Sequence, residues 1–61
     1  MSKIEILLVD DEESVLEVSK LYLEKMNKAF HVNTIDSAIE AMNFIKKNNL
    51  DVIISDYQIW R

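Results

Sequence analysis

Three short apolar runs alternate with two longer amphipathic segments, and this alternation constrains the fold more than any other feature of the sequence. The first run, Ile4–Val9, is aliphatic apart from one Glu, which is typical of a strand covered on both faces. The second, Phe30–Ile35, alternates between two faces and favours a half-covered strand at a sheet edge. The third, residues 51–55, is aliphatic in its middle and predicts another strand.

The segment from about residue 12 or 13 to residue 27 has the spacing of a helix. Its apolar residues recur at intervals of three and four, and its charged residues lie mostly on other faces. We expect Tyr22 to take part in core or boundary packing, like Phe30 and Phe44. The residues at this spacing are Val15, Val18 and Tyr22 along one line and Leu16, Leu23 and Met26 along another.

A second helix is predicted to begin at Ser37. Glu40 follows it at the spacing of a capping box, in which the Ser and Glu side chains satisfy the first free backbone N–H groups. The apolar face of this helix is predicted to carry Ala38, Ala41, Met42 and Ile45.

The resulting order is β-α-β-α-β. Each connection is long enough for a parallel crossover, and such crossovers are almost always right-handed. The chain is therefore predicted to form the opening of an open, doubly wound α/β sheet. Gly and Pro are both absent, so the turns must use other residues. Asn27, Asn48 and Asn49 are predicted to end the helices, because Asn tolerates the left-handed conformation.

Size and composition limit the sources of stability. A core of 61 residues seldom supplies more than roughly 3–5 kcal/mol without extra support. There is no Cys, which excludes disulfides and thiolate metal sites. Hydrophobic residues make up 49% of the chain and charged residues 30%, a balance typical of folded proteins. We therefore expect a second chain or a bound cation to provide the support.

The charge and the absence of long apolar runs exclude several classes of partner. The net charge of −4 disfavours nonspecific binding to nucleic acid or to anionic membranes. No run approaches the roughly 20 apolar residues of a membrane span. Acids follow the first strand where a signal peptide would continue its apolar region. A cytoplasmic location is expected, with no membrane and no nucleic-acid partner.

Acidic residues follow two of the predicted strands. Asp10 and Asp11 come directly after the first strand, and Asp56 comes directly after the third. Because the carboxyl ends of parallel strands meet at one edge of the sheet, neighbouring strands would bring these carboxylates together. Like charges at that distance require a cation or a proton, and oxygen ligands suit Mg²⁺. The pattern indicates a magnesium-assisted phosphoryl site.

A structural role for these acids is the alternative. Acidic residues before a helix commonly cap its backbone or complement its dipole, and Glu12 and Glu13 fit that role. Asp10 and Asp11 could serve in the same way. The combination with Asp56 at the end of another buried strand favours a functional site, but residue chemistry alone leaves both interpretations open.

The stretches "ILLVDDEESV" and "DSAIEAMNFIKKNNLDVIISDYQI" resemble the receiver domain of two-component response regulators over essentially the whole chain. The resemblance implies a truncated flavodoxin-like fold, a doubly wound parallel sheet with strand order 2-1-3. It implies that residues 1–61 are the N-terminal half of a receiver domain, two and a half of the family's five β/α units.

The resemblance also implies a role for each acidic residue. Asp56 corresponds to the nucleophile that accepts a phosphoryl group from a histidine kinase. Asp11 and Asp56 correspond to direct Mg²⁺ ligands, and Asp10 assists, often through water. The backbone carbonyl of Gln58 corresponds to the remaining protein ligand. The implied function is a phosphoacceptor signalling module and not an enzyme.

The chain departs from the family pattern after Asp56. Ile59 and Trp60 replace the usual Met-Pro, and no residue matches the later Ser or Thr, aromatic residue and Lys of the family site. We therefore expect impaired phosphorylation and no conformational switching. A magnesium phosphohydrolase is disfavoured, because Gln58 occupies the position of its second catalytic acid.

The alternative function is a folded half-domain whose acidic site is idle. In the order 2-1-3 the third strand would be an edge with an apolar sequence, and natural proteins usually cover such edges. The first helix would also lack a neighbour and leave Val15, Leu16 or Leu23 partly bare. A homodimer is predicted, with the third strands or the first helices at its two-fold interface.

Overall fold

A computed structural model describes residues 3–55 of the chain. The strands form one parallel sheet in the order β2-β1-β3, as predicted from the sequence. Within the described residues, neither helix is long and apolar enough to cross a membrane. The elements are β1 (Ile4–Val9), α1 (Glu13–Met26), β2 (Phe30–Ile35), α2 (Ala38–Lys47) and β3 (Val52–Ser55).

The central strand β1 contributes side chains to both faces of the sheet. Ile6 and Leu8 are buried against α1, where Leu16 joins them, and Leu7 and Val9 are buried against α2, where Ala41 joins them. Since successive residues of a strand point to opposite faces, an unbroken aliphatic run is what a strand between two helices requires. The prediction that β1 is covered on both faces is confirmed.

The start of β3 is fixed by Asp51. Its carboxylate oxygen Oδ2 accepts a hydrogen bond of 2.8 Å from the backbone N–H of Glu5. Its own N–H donates to the Glu5 carbonyl oxygen, also at 2.8 Å. Asp51 therefore joins β3 to β1 through its side chain, and β3 begins at Val52, one residue later than predicted.

The prediction that Asn residues end the helices in the left-handed conformation was wrong. No described residue has a positive φ, and Asn27 and Asn48 have φ values of −149° and −131°. Asn27 instead accepts a bond from Ala29 N–H through its side-chain oxygen at 2.9 Å. Asn48 donates from its side-chain amide to the Phe44 carbonyl at 3.0 Å. The side chains, and not a left-handed backbone, bond the groups at the helix ends.

The capping prediction for α2 is confirmed in part. The hydroxyl of Ser37 accepts a long hydrogen bond of 3.4 Å from the backbone N–H of Glu40. Ala41 is buried on the predicted face, but Met42 is exposed, and Phe44 packs against the sheet instead. The covered face of α2 is thus rotated slightly from the one predicted.

The exposed side of α1 differs from the expectation. Val15, Leu16 or Leu23 was predicted to be partly bare, and this is confirmed for Val15, which is 40% exposed. It is wrong for Leu16, which is 5% exposed, and Leu23 is half-buried. Tyr22 is exposed, contrary to the prediction that it packs in the core or at its boundary. The apolar residues on the open side of this helix are Val15, Val18, Leu21, Tyr22 and Met26.

Candidate functional site

The carboxyl ends of β1 and β3 lie side by side. Val9 of β1 is the register partner of Ser55, the last residue of β3. In sequence, Asp10 follows the first of these residues and Asp56 follows the second. The predicted site residues Asp56 and Gln58 lie outside the described residues, so the site is described from its β1 side.

Asp10 is held by the loop that connects β1 to α1. It is half-buried, and its backbone N–H donates to the Ile35 carbonyl of β2 at 3.2 Å. Its carboxylate oxygen Oδ1 accepts a hydrogen bond of 2.9 Å from the backbone N–H of Glu12. This bond orders the turn that leads into α1, so Asp10 has the structural role that was left open as an alternative.

Asp11 differs from Asp10 in its surroundings. It lies in the bend between β1 and α1 and is exposed. Its carboxylate has no hydrogen-bond or ion-pair partner within residues 3–55. Of the two adjacent acids, Asp11 is therefore the one that presents its carboxylate to solvent, where a cation can reach it without breaking the loop.

The acids at the start of α1 act through charge and not through capping bonds. Glu12 is the residue that caps α1, but its side chain makes no capping hydrogen bond. Glu13 lies in the first turn, where a negative charge complements the positive end of the helix dipole. Their predicted structural role is therefore confirmed only as dipole complementation by Glu13.

An acidic cleft lies at the same edge, between α1, the end of β2 and the start of α2. Its volume is about 260 Å³. A smaller and more apolar cleft of about 150 Å³ lies beside Asp10, between α1 and the end of β3. Carboxylates concentrated at one edge repel one another, and this repulsion is relieved when a cation is bound. The acids that line the larger cleft are Glu13, Glu17, Asp36 and Glu40.

The donor atoms in the described part of the site are of the type that a hard cation binds. No group of three His, Cys, Asp or Glu side chains suited to a metal occurs within residues 3–55. Two of the four predicted ligands, Asp56 and Gln58, lie outside that range. The two that are described, Asp10 and Asp11, carry the carboxylate oxygens that Mg²⁺ prefers. The magnesium site stays a prediction.

A second polar cluster lies at the opposite end of the sheet and was not predicted. Glu5 of β1 and its register partner His31 of β2 are joined by a contact of 2.8 Å between Oε1 and Nδ1. Asn33 donates to the same carboxylate at 3.3 Å. These hydrogen bonds, chiefly the one from His31, lower the pKa of Glu5 below its ordinary value of 4.5. In the sequence, only the matching positions of Glu5 and His31 within their strands could have indicated this pair.

Comparison with known families is consistent with this geometry. The family model described as the response regulator receiver domain matches residues 6–61. No solved structure matches the chain significantly. The match begins within β1 and includes Asp10, Asp11 and Asp56. The chain belongs to the receiver domain family of response regulators.

Proposed function

We propose that this chain is a phosphoacceptor module of two-component signalling and that Asp56 receives the phosphoryl group. Receiver domains generally bind Mg²⁺ at the acidic site and interact with histidine kinases. The observation that carries the proposal is the pairing of Val9 with Ser55 at the ends of β1 and β3. In sequence, Asp10 directly follows Val9 and Asp56 directly follows Ser55. We also expect the cytoplasm as its location.

The proposed reaction is a phosphoryl transfer to a carboxylate. A carboxylate oxygen of Asp56 attacks phosphorus, the bond from phosphorus to the donor breaks, and the donor leaves with that electron pair. When bound, Mg²⁺ neutralises charge on the phosphoryl oxygens. In this proposal the direct ligands are the carboxylates of Asp11 and Asp56 and the backbone carbonyl of Gln58.

The surroundings of Asp10 support an indirect role for it. Its Oδ1 atom is already bonded to the Glu12 N–H, and its backbone is bonded to β2. A residue so fixed can orient a water molecule of the metal without moving the loop. Asp11, whose carboxylate is exposed, has the freedom that a direct ligand needs.

We further propose that residues 1–61 on their own accept the phosphoryl group slowly. The family's hydroxyl and Lys, which contact the phosphoryl oxygens, have no counterpart in residues 1–61. Those groups would supply electrostatic stabilisation in the transition state, and their movement would transmit the signal.

Labelling with a small phosphodonor tests the proposal. Incubation with acetyl phosphate and Mg²⁺ is expected to add one phosphoryl group, detected by intact mass. Omitting Mg²⁺ or introducing Asp56→Asn should abolish the adduct, and Asp11→Asn should reduce it severely. Asp36→Asn is the matched control, because Asp36 is an exposed acid that follows β2 and its substitution makes the same change of charge. An adduct that survives in Asp56→Asn would refute the assignment.

The second candidate function is a folded unit that self-associates while its acidic site stays idle. The observation that favours it is the exposure of β3, where Val52 and Ile54 are 42% and 47% exposed. Sedimentation over a range of protein concentrations tests it. A dimer without any phosphoryl adduct would favour this candidate over the first.

A further inference from the structure

We infer that α1 protects the β2 edge of the sheet: Lys20 and Glu24 occupy the outward backbone groups of Val32 and so exclude the addition of another strand there. In the order β2-β1-β3, β2 has a neighbouring strand on one side only within residues 3–55. An edge strand is a template for pairing with another chain, and natural proteins protect such edges. Here two side chains of a helix make the bonds that a further strand would make.

The backbone of β2 alternates between β1 and the open side. The Ile4 N–H donates to the Ala29 carbonyl at 2.7 Å, and the Asp10 N–H donates to the Ile35 carbonyl at 3.2 Å. In a parallel pair, alternate residues of a strand direct both backbone groups to the same neighbour. The odd-numbered residues of β2 therefore face β1, and the N–H and carbonyl of Val32, near the centre of the strand, face outward.

Two side chains of α1 bond both outward groups of Val32. Lys20 donates from Nζ to the Val32 carbonyl oxygen at 2.8 Å, and Glu24 accepts from the Val32 N–H at 3.0 Å. These are the donor and the acceptor that an added strand would need. Val32 is only 2% exposed, so its backbone groups require partners from the protein. The two side chains supply them without a second chain.

Lys20 and Glu24 also form an ion pair of 3.0 Å, one turn apart on α1. As a helix pair alone it would contribute little, and an isolated helix favours Glu before Lys over the order found here. The hydrogen bond from Val32, followed by that from Lys20, lowers the pKa of Glu24 below its ordinary value. The strand therefore does more than the helix pair to keep Glu24 charged, and the ion pair holds both side chains against β2.

The rest of the strand adds to this protection. By the same alternation, the residues of β2 that face outward are Phe30, Val32 and Thr34. The Phe30 N–H already donates to the Asn27 carbonyl at 3.0 Å. A strand added along β2 would thus have to break the bonds of Phe30 and Val32 and displace two charged side chains before it formed a ladder.

Sedimentation of a variant that lacks the pair tests the inference. Lys20→Ala combined with Glu24→Ala is expected to raise the mass in solution above that of the unaltered chain at the same concentration, because Val32 can then pair with β2 of a second copy. Lys25→Ala combined with Glu17→Ala removes the same charges from exposed positions of α1 and should leave the mass unchanged. Circular dichroism checks that each variant is folded. A folded Lys20→Ala, Glu24→Ala variant with the mass of the unaltered chain at every concentration would overturn the inference.

A third substitution distinguishes association through β2 from association elsewhere. The Thr34 N–H faces outward, so Thr34→Pro removes no bond between β1 and β2 but interrupts pairing with an added strand. Introduced into the Lys20→Ala, Glu24→Ala variant, it should return the mass to that of the unaltered chain. A mass that stays raised would show association through another surface and would contradict the inference.

Amide hydrogen exchange measures the protection in single variants. In Glu24→Ala the Val32 N–H should exchange about tenfold faster or more, as expected for the loss of a hydrogen bond to a charged group. The Asn33 N–H, which faces β1, is the internal reference. Glu24→Gln should keep most of the protection, since its amide oxygen can accept the same bond. Equal exchange of the Val32 N–H in Glu24→Ala and in the unaltered chain would refute the role of Glu24 at this edge.

Discussion

At the scale of single residues, polar side chains bind backbone groups and one another across several elements. Glu5 joins β1 to His31 on β2, and Glu24 joins α1 to Val32 on the same strand. In both cases the hydrogen bonds favour the charged carboxylate and lower its pKa. Stability should therefore depend on pH in a range that these two groups define.

The free energy of unfolding should fall as the pH decreases below about 4.5, the ordinary pKa of Glu. The folded pKa values of Glu5 and Glu24 are lowered, so the unfolded chain binds more protons in this range. Their contribution is complete above the unfolded pKa and is lost as the pH falls through the folded one. Urea unfolding at a series of pH values measures it.

His31→Ala is expected to make this acid dependence shallower, since His31 is the main cause of the lowered pKa of Glu5. The dependence should not vanish, because Glu24 keeps its bonds to Val32 and Lys20. An unchanged pH profile in His31→Ala would contradict the role of this cross-strand pair.

Asn27 offers a test of how α1 ends. Its φ of −149° is extended, so Gly brings no conformational advantage there and removes the side-chain bond to Ala29. Asn27→Gly should lower the free energy of unfolding, with the flexibility of Gly alone costing roughly 0.5–1 kcal/mol. Stabilisation in urea unfolding would instead indicate the left-handed conformation that the sequence suggested.

At the scale of elements, periodicity predicted the helices and strands well. The bounds of β1 and β2 match the predictions, because uninterrupted or alternating apolar runs have few other solutions. The β3 start differed by one residue, since the side chain of Asp51 takes part in pairing. The bonds of Lys20 and Glu24 to the backbone of Val32 were not predicted, because they depend on how α1 lies over β2.

Which side of α1 would be covered could not be read from periodicity alone. Leu16 and Val18 both belong to apolar lines of the helix, yet Leu16 is 5% exposed and Val18 is 67% exposed. The difference arises because α1 lies over β1 and β2 and leaves the α1-side face of β3 open. The sequence predicted the part of the candidate site that the structure describes, namely Asp10 beside the paired ends of β1 and β3. Asp56 lies outside the described residues.

Leu16→Ala should therefore be far more damaging than Val18→Ala. Removing a buried Leu side chain typically costs about 2–5 kcal/mol, which approaches the whole stability expected for a core of this size. The Val18 change should stay within about 0.5 kcal/mol, as for most surface substitutions. Urea or thermal unfolding compares them, and similar losses would contradict the placement of α1.

At the scale of the whole molecule, the acidic residues and the exposed side chains of β3 lie at different places on the sheet. The acidic residues collect at the carboxyl ends of the strands, whereas the β3 edge exposes Val52 and Ile54 along its side. Open α/β folds place their ligands at the carboxyl ends. The proposed phosphoacceptor role and the proposed self-association would thus use different surfaces of the molecule.

Trapping of the phosphorylated residue tests the central claim most directly. An aspartyl phosphate is an acyl phosphate, and borohydride reduces its carbonyl carbon to an alcohol. After treatment with acetyl phosphate and Mg²⁺, borohydride should convert position 56 to homoserine, identified by tandem mass spectrometry. The product should be absent without Mg²⁺. Reduction at Asp10 or Asp11 instead, or at no residue, would contradict the proposal that Asp56 is the phosphoacceptor.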